Sequence, residues 1–233
     1  MTATFADLFD RVAGHDTDTE AVRAALAERR SASEDGSGDT DTARSDTENL
    51  PPADRDPSPA RVVADADVLA ADLLVGGPAR EALDALRSHA WTTLVASDPL
   101  LDDAEAVIAA LADEGLAADW RDAVESWREP VTQPAGDHPA LASAYRGGAM
   151  QVVSLDPSLT GAEAAAALRD RMKVSVREPR AFATVFSPAG LYPEAVGGEY
   201  PGPDRDPRSM EPVRSDADRR PETDPGPDAD QHG

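Results

Sequence analysis

Short apolar runs alternate with amphipathic helical patterns across the middle of the chain, and this alternation restricts the possible folds more than any other feature. Four runs are typical of strands and lie at residues 61–65, 91–97, 150–155 and 173–177. Helical patterns lie between and after them, at residues 79–86, 98–113, 118–128, 161–172 and 180–186, and after residue 137. Strands separated by helices pair in parallel, in a sheet covered on both faces. The sequence therefore predicts an α/β protein with three layers, α/β/α, around a central, mainly parallel sheet.

The absence of certain residue types and segments excludes several classes of protein. The 233-residue chain has no cysteine, which excludes disulfide scaffolds, cysteine-ligated zinc, iron–sulfur clusters and thiol nucleophiles. No apolar stretch approaches the roughly 20 residues of a membrane-spanning helix. The first ten residues lack the basic start and apolar run of a secretory signal. We therefore expect a cytoplasmic protein that does not contact a membrane.

The charge composition is strongly acidic and contains almost no lysine. There are 45 acidic and 22 basic residues, giving a net charge of −23, and Lys173 is the only lysine. Such a composition is typical of halophilic organisms that keep molar salt in the cytoplasm. At about 1 M salt the Debye length is about 3 Å, so the surface charges hardly repel one another. We interpret the acidity as an adaptation to the solvent.

This interpretation predicts that salt stabilises the fold. The melting temperature should rise as KCl is added from the millimolar to the molar range, because dilution leaves the negative surface unscreened. Thermal melts over a KCl series measure the effect. A melting temperature that is constant or falls with added salt would contradict the halophilic interpretation.

Apolar residues divide the chain into four segments. Residues 31–60 and 192–233 contain few large apolar side chains and are predicted to be a disordered acidic linker and a disordered acidic tail. The domain is therefore placed at residues 61–191. Residues 1–30 form a short helical segment, with an apolar stripe in the first helix and a Thr17–Glu20 capping box before the second. Thirty residues are too few for a core of their own, so this segment is expected to dock on the domain or on a partner.

Acidic residues follow two of the predicted strands. Asp65 and Asp67 come directly after the apolar run that ends at Ala64, and Asp156 follows the run that ends at Leu155. Ligands of open α/β sheets gather at the carboxyl ends of the strands. Carboxylates crowded there repel one another unless a cation lies among them. Since oxygen ligands suit hard ions, the sequence predicts a site for Mg²⁺ or Mn²⁺.

Five sequence blocks, in order along residues 61–187, resemble the blocks of the PIN-domain nucleases. In the first block an aspartate ends a strand, and in the second an acid follows the start of a helix. In the third block an aspartate opens a helix, and in the fourth Ser-x-Asp ends a strand. In the fifth, Pro-Arg-x-Phe opens the closing helix. The blocks are VVADADVL at 62–69, SDPLLDD at 97–103, GDHPALASA at 136–144, GAMQVVSLD at 148–156 and VREPRAF at 176–182.

The resemblance implies a metal-dependent endoribonuclease that hydrolyses RNA phosphodiester bonds. Its catalytic metal ligands would be Asp65, Asp103, Asp137 and Asp156, which would hold Mg²⁺ or Mn²⁺. The metal would lower the pKa of a bound water and stabilise charge on the phosphate. Two further residues would lie beside the ligands: Ser154, orienting Asp156 or contacting a phosphate, and Asp67.

Other interpretations remain open. The runner-up is a catalytically inactive PIN-like interaction or scaffold module, favoured by Asp103, where the family more often has Glu, and by the lack of a basic stripe for RNA. It would bind a protein partner through the N-terminal helices, and a homodimer is also compatible with the sequence. A domain that binds a small ligand is disfavoured, since no G-x-G-x-x-G or Walker loop is present. Individually, Asp103, Asp137 and Asp156 also suit helix starts or turns, and His138 is interpreted as incidental.

Overall fold

A computed structural model describes residues 3–35, 55–134, 137–169 and 173–213. Five strands and eleven helices are present within these ranges. The strands are β1 (Ser58–Ala64), β2 (Thr93–Ser97), β3 (Arg128–Val131), β4 (Ala149–Val153) and β5 (Ser175–Arg177). The helices are α1 (Phe5–Arg11), α2 (Thr19–Asp35), α3 (Ala66–Leu74), α4 (Gly77–Arg87), α5 (Asp98–Leu111), α6 (Glu114–Glu125), α7 (Pro139–Gly147), α8 (Pro157–Thr160), α9 (Ala162–Arg169), α10 (Pro179–Val185) and α11 (Pro188–Ala195). No helix in the described ranges is long and apolar enough to cross a membrane.

The strands form one parallel sheet in the order β3-β2-β1-β4-β5. The chain moves from β1 towards β3 and then returns to the other side of β1. Because parallel crossovers are right-handed, this reversal places helices α3–α6 on one face and α7 on the other. The side chains of Val62, Val63 and Ala64 on β1 are fully buried between these layers. The predicted three-layer α/β/α fold with a parallel sheet is confirmed.

Helix α3 and strand β3 were not predicted, nor were the short helices α8 and α11. The run after Asp65 is helix α3, and every one of its residues is buried. A helix that is buried on all sides shows no amphipathic period. Strand β3 has the sequence Arg-Glu-Pro-Val and lies at the sheet edge, where a proline is tolerated.

The N-terminal helices pack on the domain. Helix α1 contacts α6 and α3, and its residues Phe5, Leu8 and Phe9 are buried. Helix α2 contacts α5 and α3. The carboxylate of Asp18 accepts a hydrogen bond from the Ala21 N–H at 2.8 Å, so it is Asp18 that caps this helix. The N-terminal segment was expected to dock on the domain or on a partner, and in the structure it docks on the domain.

The described helices, strands and packed segments extend beyond the predicted boundaries of the domain. Helix α2 runs to Asp35, β1 begins at Ser58, and the segment from residue 192 to residue 213 packs on the domain. The Tyr200 hydroxyl lies 2.6 Å from His89 Nε2, and the Asp204 carboxylate accepts from the Ala90 N–H. Aromatic and backbone contacts thus stabilise a segment that has few aliphatic residues. The remaining predicted linker and tail, residues 36–54 and 214–233, lie outside the described residues.

Candidate metal and active site

The candidate site is the crevice at the carboxyl ends of β1 and β4. These neighbouring strands mark the point where the strand order reverses, which is where open α/β sheets bind their ligands. Asp65 directly follows β1 and is fully buried. Its Oδ1 accepts a hydrogen bond from the Ala66 N–H at 2.8 Å and so caps α3. Its Oδ2 accepts from the Ser154 hydroxyl at 3.0 Å, which fixes the carboxylate in the crevice.

The positive charge in this crevice comes from Arg30 on helix α2. Its Nη2 donates to Asp65 Oδ1 at 2.9 Å, and its Nε donates to Asp103 Oδ2 at 3.1 Å. Its Nη1 lies 3.2 Å from His138 Nε2. One guanidinium therefore bridges three residues that come from three separate elements of the domain. Arg30 was not among the residues predicted for the site.

Asp103 lies deeper in its helix than the sequence indicated. Ser97, and not Asp98, caps α5, and Asp103 is the sixth residue of that helix. The helix dipole acts mainly within the first turn, so it does not account for an acid at this position. The carboxylate of Asp103 is almost buried, and Arg29 Nε lies 3.7 Å from its second oxygen. Asp103 thus faces the crevice together with Asp65.

Asp156 is joined to the crevice through Ser154. The Ser154 hydroxyl accepts from the Asp156 N–H at 3.1 Å while it donates to Asp65. The Asp156 carboxylate accepts from the Ser158 N–H at 2.7 Å and caps α8. Ser154 therefore positions Asp65, as well as the backbone of Asp156, whose side chain is half-buried.

Asp137 occupies the margin of the site, whereas His138 enters it. The Asp137 side chain is exposed, and its carbonyl accepts from Gln133 Nε2. Helix α7 begins at Pro139 with His138 as its N-cap, so Asp137 is not the cap. Burial lowers the pKa of His138; the charge of Asp65 raises this pKa and that of Arg30 lowers it. The Ala140 N–H donates to His138 Nδ1 at 3.3 Å while the Arg30 guanidinium faces Nε2, and a neutral imidazole has one acceptor nitrogen, so His138 accepts fully from one of these two donors.

Asp67 is the most unusual acid of the group. Its side chain is buried, its Oδ2 accepts from the Leu155 N–H at 3.0 Å, and its Oδ1 has no hydrogen-bond partner among the described residues. Burial and the neighbouring charge of Asp65 raise its pKa well above the ordinary value. A buried oxygen without a donor is costly unless a proton or a cation satisfies it.

The substitution Asp67→Asn should stabilise the protein at neutral pH. Because the folded-state pKa is raised, the ionised carboxylate costs stability once the pH exceeds the value for an unfolded aspartate, about 3.9. Asparagine keeps the acceptor for the Leu155 N–H and carries no charge. We expect a higher melting temperature than wild type at pH 8 and a difference that vanishes below pH 4. A lower melting temperature at every pH would contradict this account.

The donor set fits a hard divalent cation. Two carboxylates already converge on one positive group, and a third, that of Asp67, keeps an unpartnered buried oxygen. Oxygen ligands of this kind are those that Mg²⁺ and Mn²⁺ prefer. Within the described ranges, no three side chains of Asp, Glu or His lie close enough together to hold a metal ion as they stand. A metal would therefore require a rearrangement of these groups.

A family model of unknown function, DUF7384, matches residues 56–208. The chain belongs to the DUF7384 family. No curated protein and no solved structure matches the chain. The DUF7384 match covers Asp65, Asp103, His138 and Asp156, and it extends past the predicted domain end at residue 191. Arg30 lies outside the matched range.

Proposed function

We propose that the chain is a metal-dependent hydrolase of RNA phosphodiester bonds. The observation that carries the proposal is that the carboxylates of Asp65 and Asp103 converge on one positive group, the Arg30 guanidinium. They do so at the carboxyl ends of the strands, where the strand order reverses. The five sequence blocks that resemble the PIN-domain nucleases supply the choice of substrate. Asp65 and Asp103 belong to two of those blocks, and they meet in the crevice although 38 residues separate them in sequence.

Asp65 and Asp103 would hold the ion, and Asp156 would join them from the end of β4. A Mg²⁺ or Mn²⁺ ion bound there lowers the pKa of a water ligand and stabilises charge on a phosphate. Ser154 would hold the Asp65 carboxylate in one orientation, as its 3.0 Å hydrogen bond indicates. His138 would form one wall of the crevice. Asp137, exposed at the margin, would join the ligands only if the preceding loop brought it inwards.

The purified full-length chain tests the proposal directly. In molar KCl, a mixed single-stranded and structured RNA should be cut with Mn²⁺ or Mg²⁺ and left intact with EDTA. The same salts should raise the melting temperature by mass action, because the metal binds only the folded site. Absence of both cleavage and a metal-dependent shift would refute the proposal.

A second candidate, an inactive interaction module, is favoured by one observation. Arg30 already pairs with both Asp65 and Asp103, so each of these two carboxylates has a positive partner without any metal. In an inactive module the Arg30 guanidinium would take the place of a metal ion permanently. Neither the wild-type protein nor a variant without Arg30 would then bind a metal or cleave RNA.

A further inference from the structure

We propose that helix α2 is a built-in inhibitor whose Arg30 guanidinium occupies the cation position of the crevice and must withdraw before a divalent ion can bind. This inference rests on the proposed function. Arg30 engages Asp65, Asp103 and His138 with its three nitrogens, at 2.9, 3.1 and 3.2 Å. An arginine that paired with a single acid at the surface would not fill the site in this way.

The two cations would compete for the same oxygens. Oδ1 of Asp65 is shared by Arg30 and the Ala66 N–H, and Oδ2 is taken by Ser154. Asp103 Oδ2 is also bound by Arg30, and Arg29 lies beside the other oxygen. A metal that used Asp65 and Asp103 together would meet the positive guanidinium at close range. Metal binding and docking of Arg30 are therefore mutually exclusive, and each weakens the other by the same factor.

The second half of α2 is held to the domain chiefly by the ion pairs of Arg30, with Arg29 lying 3.7 Å from Asp103. Val22 and Leu26 are buried, whereas residues 27–29 and 31–33 are exposed. Among residues 19–33, Leu26 is thus the last buried apolar anchor of the helix, and the later contacts with the crevice are the ion pairs of Arg29 and Arg30. Few buried contacts mean a low cost of local opening. The end of α2 can therefore leave the crevice while α1 and the first half of α2 stay docked.

The limits of the family match agree with a separable element. Residues 56–208 contain the carboxylates of the crevice, and both α1 and α2 precede this range. The acids and the guanidinium that neutralises them thus belong to different parts of the chain. Such a division is what a regulatory segment requires, because its removal leaves the ligands in place.

Arg30→Met in the full-length chain tests the inference, with Arg23→Met as the matched control. Arg23 lies on the same helix, pairs with Glu20 and makes no contact with the site acids, so its replacement removes an equal charge from elsewhere. Isothermal titration with Mn²⁺ should show tighter binding by Arg30→Met than by wild type, by about tenfold or more. Arg23→Met should bind as wild type does. Hydrogen exchange in wild type should show that Mn²⁺ speeds exchange of the amides of residues 27–33.

The outcomes separate the inference from the function on which it rests. Tighter Mn²⁺ binding by Arg30→Met without cleavage of RNA would support competition and refute the nuclease. Equal Mn²⁺ affinity in wild type and Arg30→Met, together with cleavage, would overturn the inhibitor and leave the nuclease standing. No Mn²⁺ binding by either protein would overturn both. A destabilised Arg30→Met that Mn²⁺ restores would support the inference, because the ion then takes over the neutralising role.

Discussion

Replacing Arg87 by methionine is expected to reduce the free energy of unfolding by about 3–5 kcal/mol. The Arg87 side chain is completely buried, and its Nη1 and Nη2 donate to the two oxygens of Asp72 at 2.7 and 2.9 Å. Nη2 also donates to Asp84 at 2.7 Å. Removing the guanidinium leaves the buried Asp72 carboxylate without its bidentate partner and with the more distant Arg80, whose Nε lies 4.0 Å from Asp72 Oδ1. An uncompensated buried charge costs far more than the original ion pair contributed.

Aromatic packing adds to the expected loss. The Arg87 guanidinium lies 4.5 Å from the ring centroid of Phe5 and 5.5 Å from those of Phe9 and Trp127. These contacts join α4 to α1 and to Trp127, which lies between α6 and β3. Each buried cation–π contact is worth roughly 1–2 kcal/mol. Arg87→Met should therefore loosen α1 from the domain as well as weaken the whole fold.

Denaturation with urea at a fixed, high KCl concentration measures the change. Arg11→Met is the matched control, because it also removes an Arg–Asp pair, but one whose side chains are 40% and 49% exposed. Exposed pairs contribute about 0–1 kcal/mol. The double variant Arg87→Met with Asp72→Leu should recover much of the lost stability, since no buried charge remains. A loss below about 1 kcal/mol in Arg87→Met would show that Asp72 finds water or another partner.

The parallel sheet and the three layers could be predicted from local sequence patterns, because a parallel sheet forces apolar strands and amphipathic helices to alternate. Helix α3 and strand β3 were missed for opposite reasons. Helix α3 is too buried to show a polar face, and β3 is too exposed and too short to show an apolar one. Hydrophobic periodicity detects only elements that have one solvent-exposed face and one buried face.

The acids of the crevice were found in part because strand ends are predictable, whereas the basic partner was not. Arg30 reaches Asp103 across 73 positions in sequence, and no local rule connects them. A signal was nevertheless present. Val22, Leu26 and Arg30 are spaced by four residues, so Arg30 lies on the same face as two apolar anchors. A charged residue on a docking face requires a buried partner of opposite charge, and the strand-end acids were the available candidates.

His138 was misjudged for a related reason. The chemistry of the third block directed attention to Asp137, but the helix begins one residue later than that block suggested. The shift turns His138 inwards and leaves Asp137 exposed. An error of one residue at a helix start therefore exchanges which of two neighbouring side chains enters the site.

Asp65→Asn is expected to abolish the metal-dependent rise in melting temperature and to reduce RNA cleavage by at least about 100-fold. Loss of residues that only orient metal ligands already costs about 10–100-fold in affinity or activity. Without metal, the variant should also lose about 1.5–3 kcal/mol, because a charge-assisted hydrogen bond from Arg30 is weakened. This loss replaces the simpler expectation that removing one of several repelling acids stabilises the protein. The guanidinium in the crevice already relieves that repulsion.

Asp102→Asn distinguishes this effect from a general effect of removing an acid. Asp102 is the neighbour of Asp103, is about half exposed and pairs with Arg121, which has three other acidic partners. We expect its stability to change by less than about 0.5 kcal/mol and its metal response and cleavage to match wild type. Thermal melts with Mn²⁺ and cleavage assays of wild type, Asp65→Asn and Asp102→Asn, each with an EDTA control, measure both. Cleavage that persists in Asp65→Asn would place the activity elsewhere or in a contaminant, and the crevice would then have to be explained by Arg30 alone.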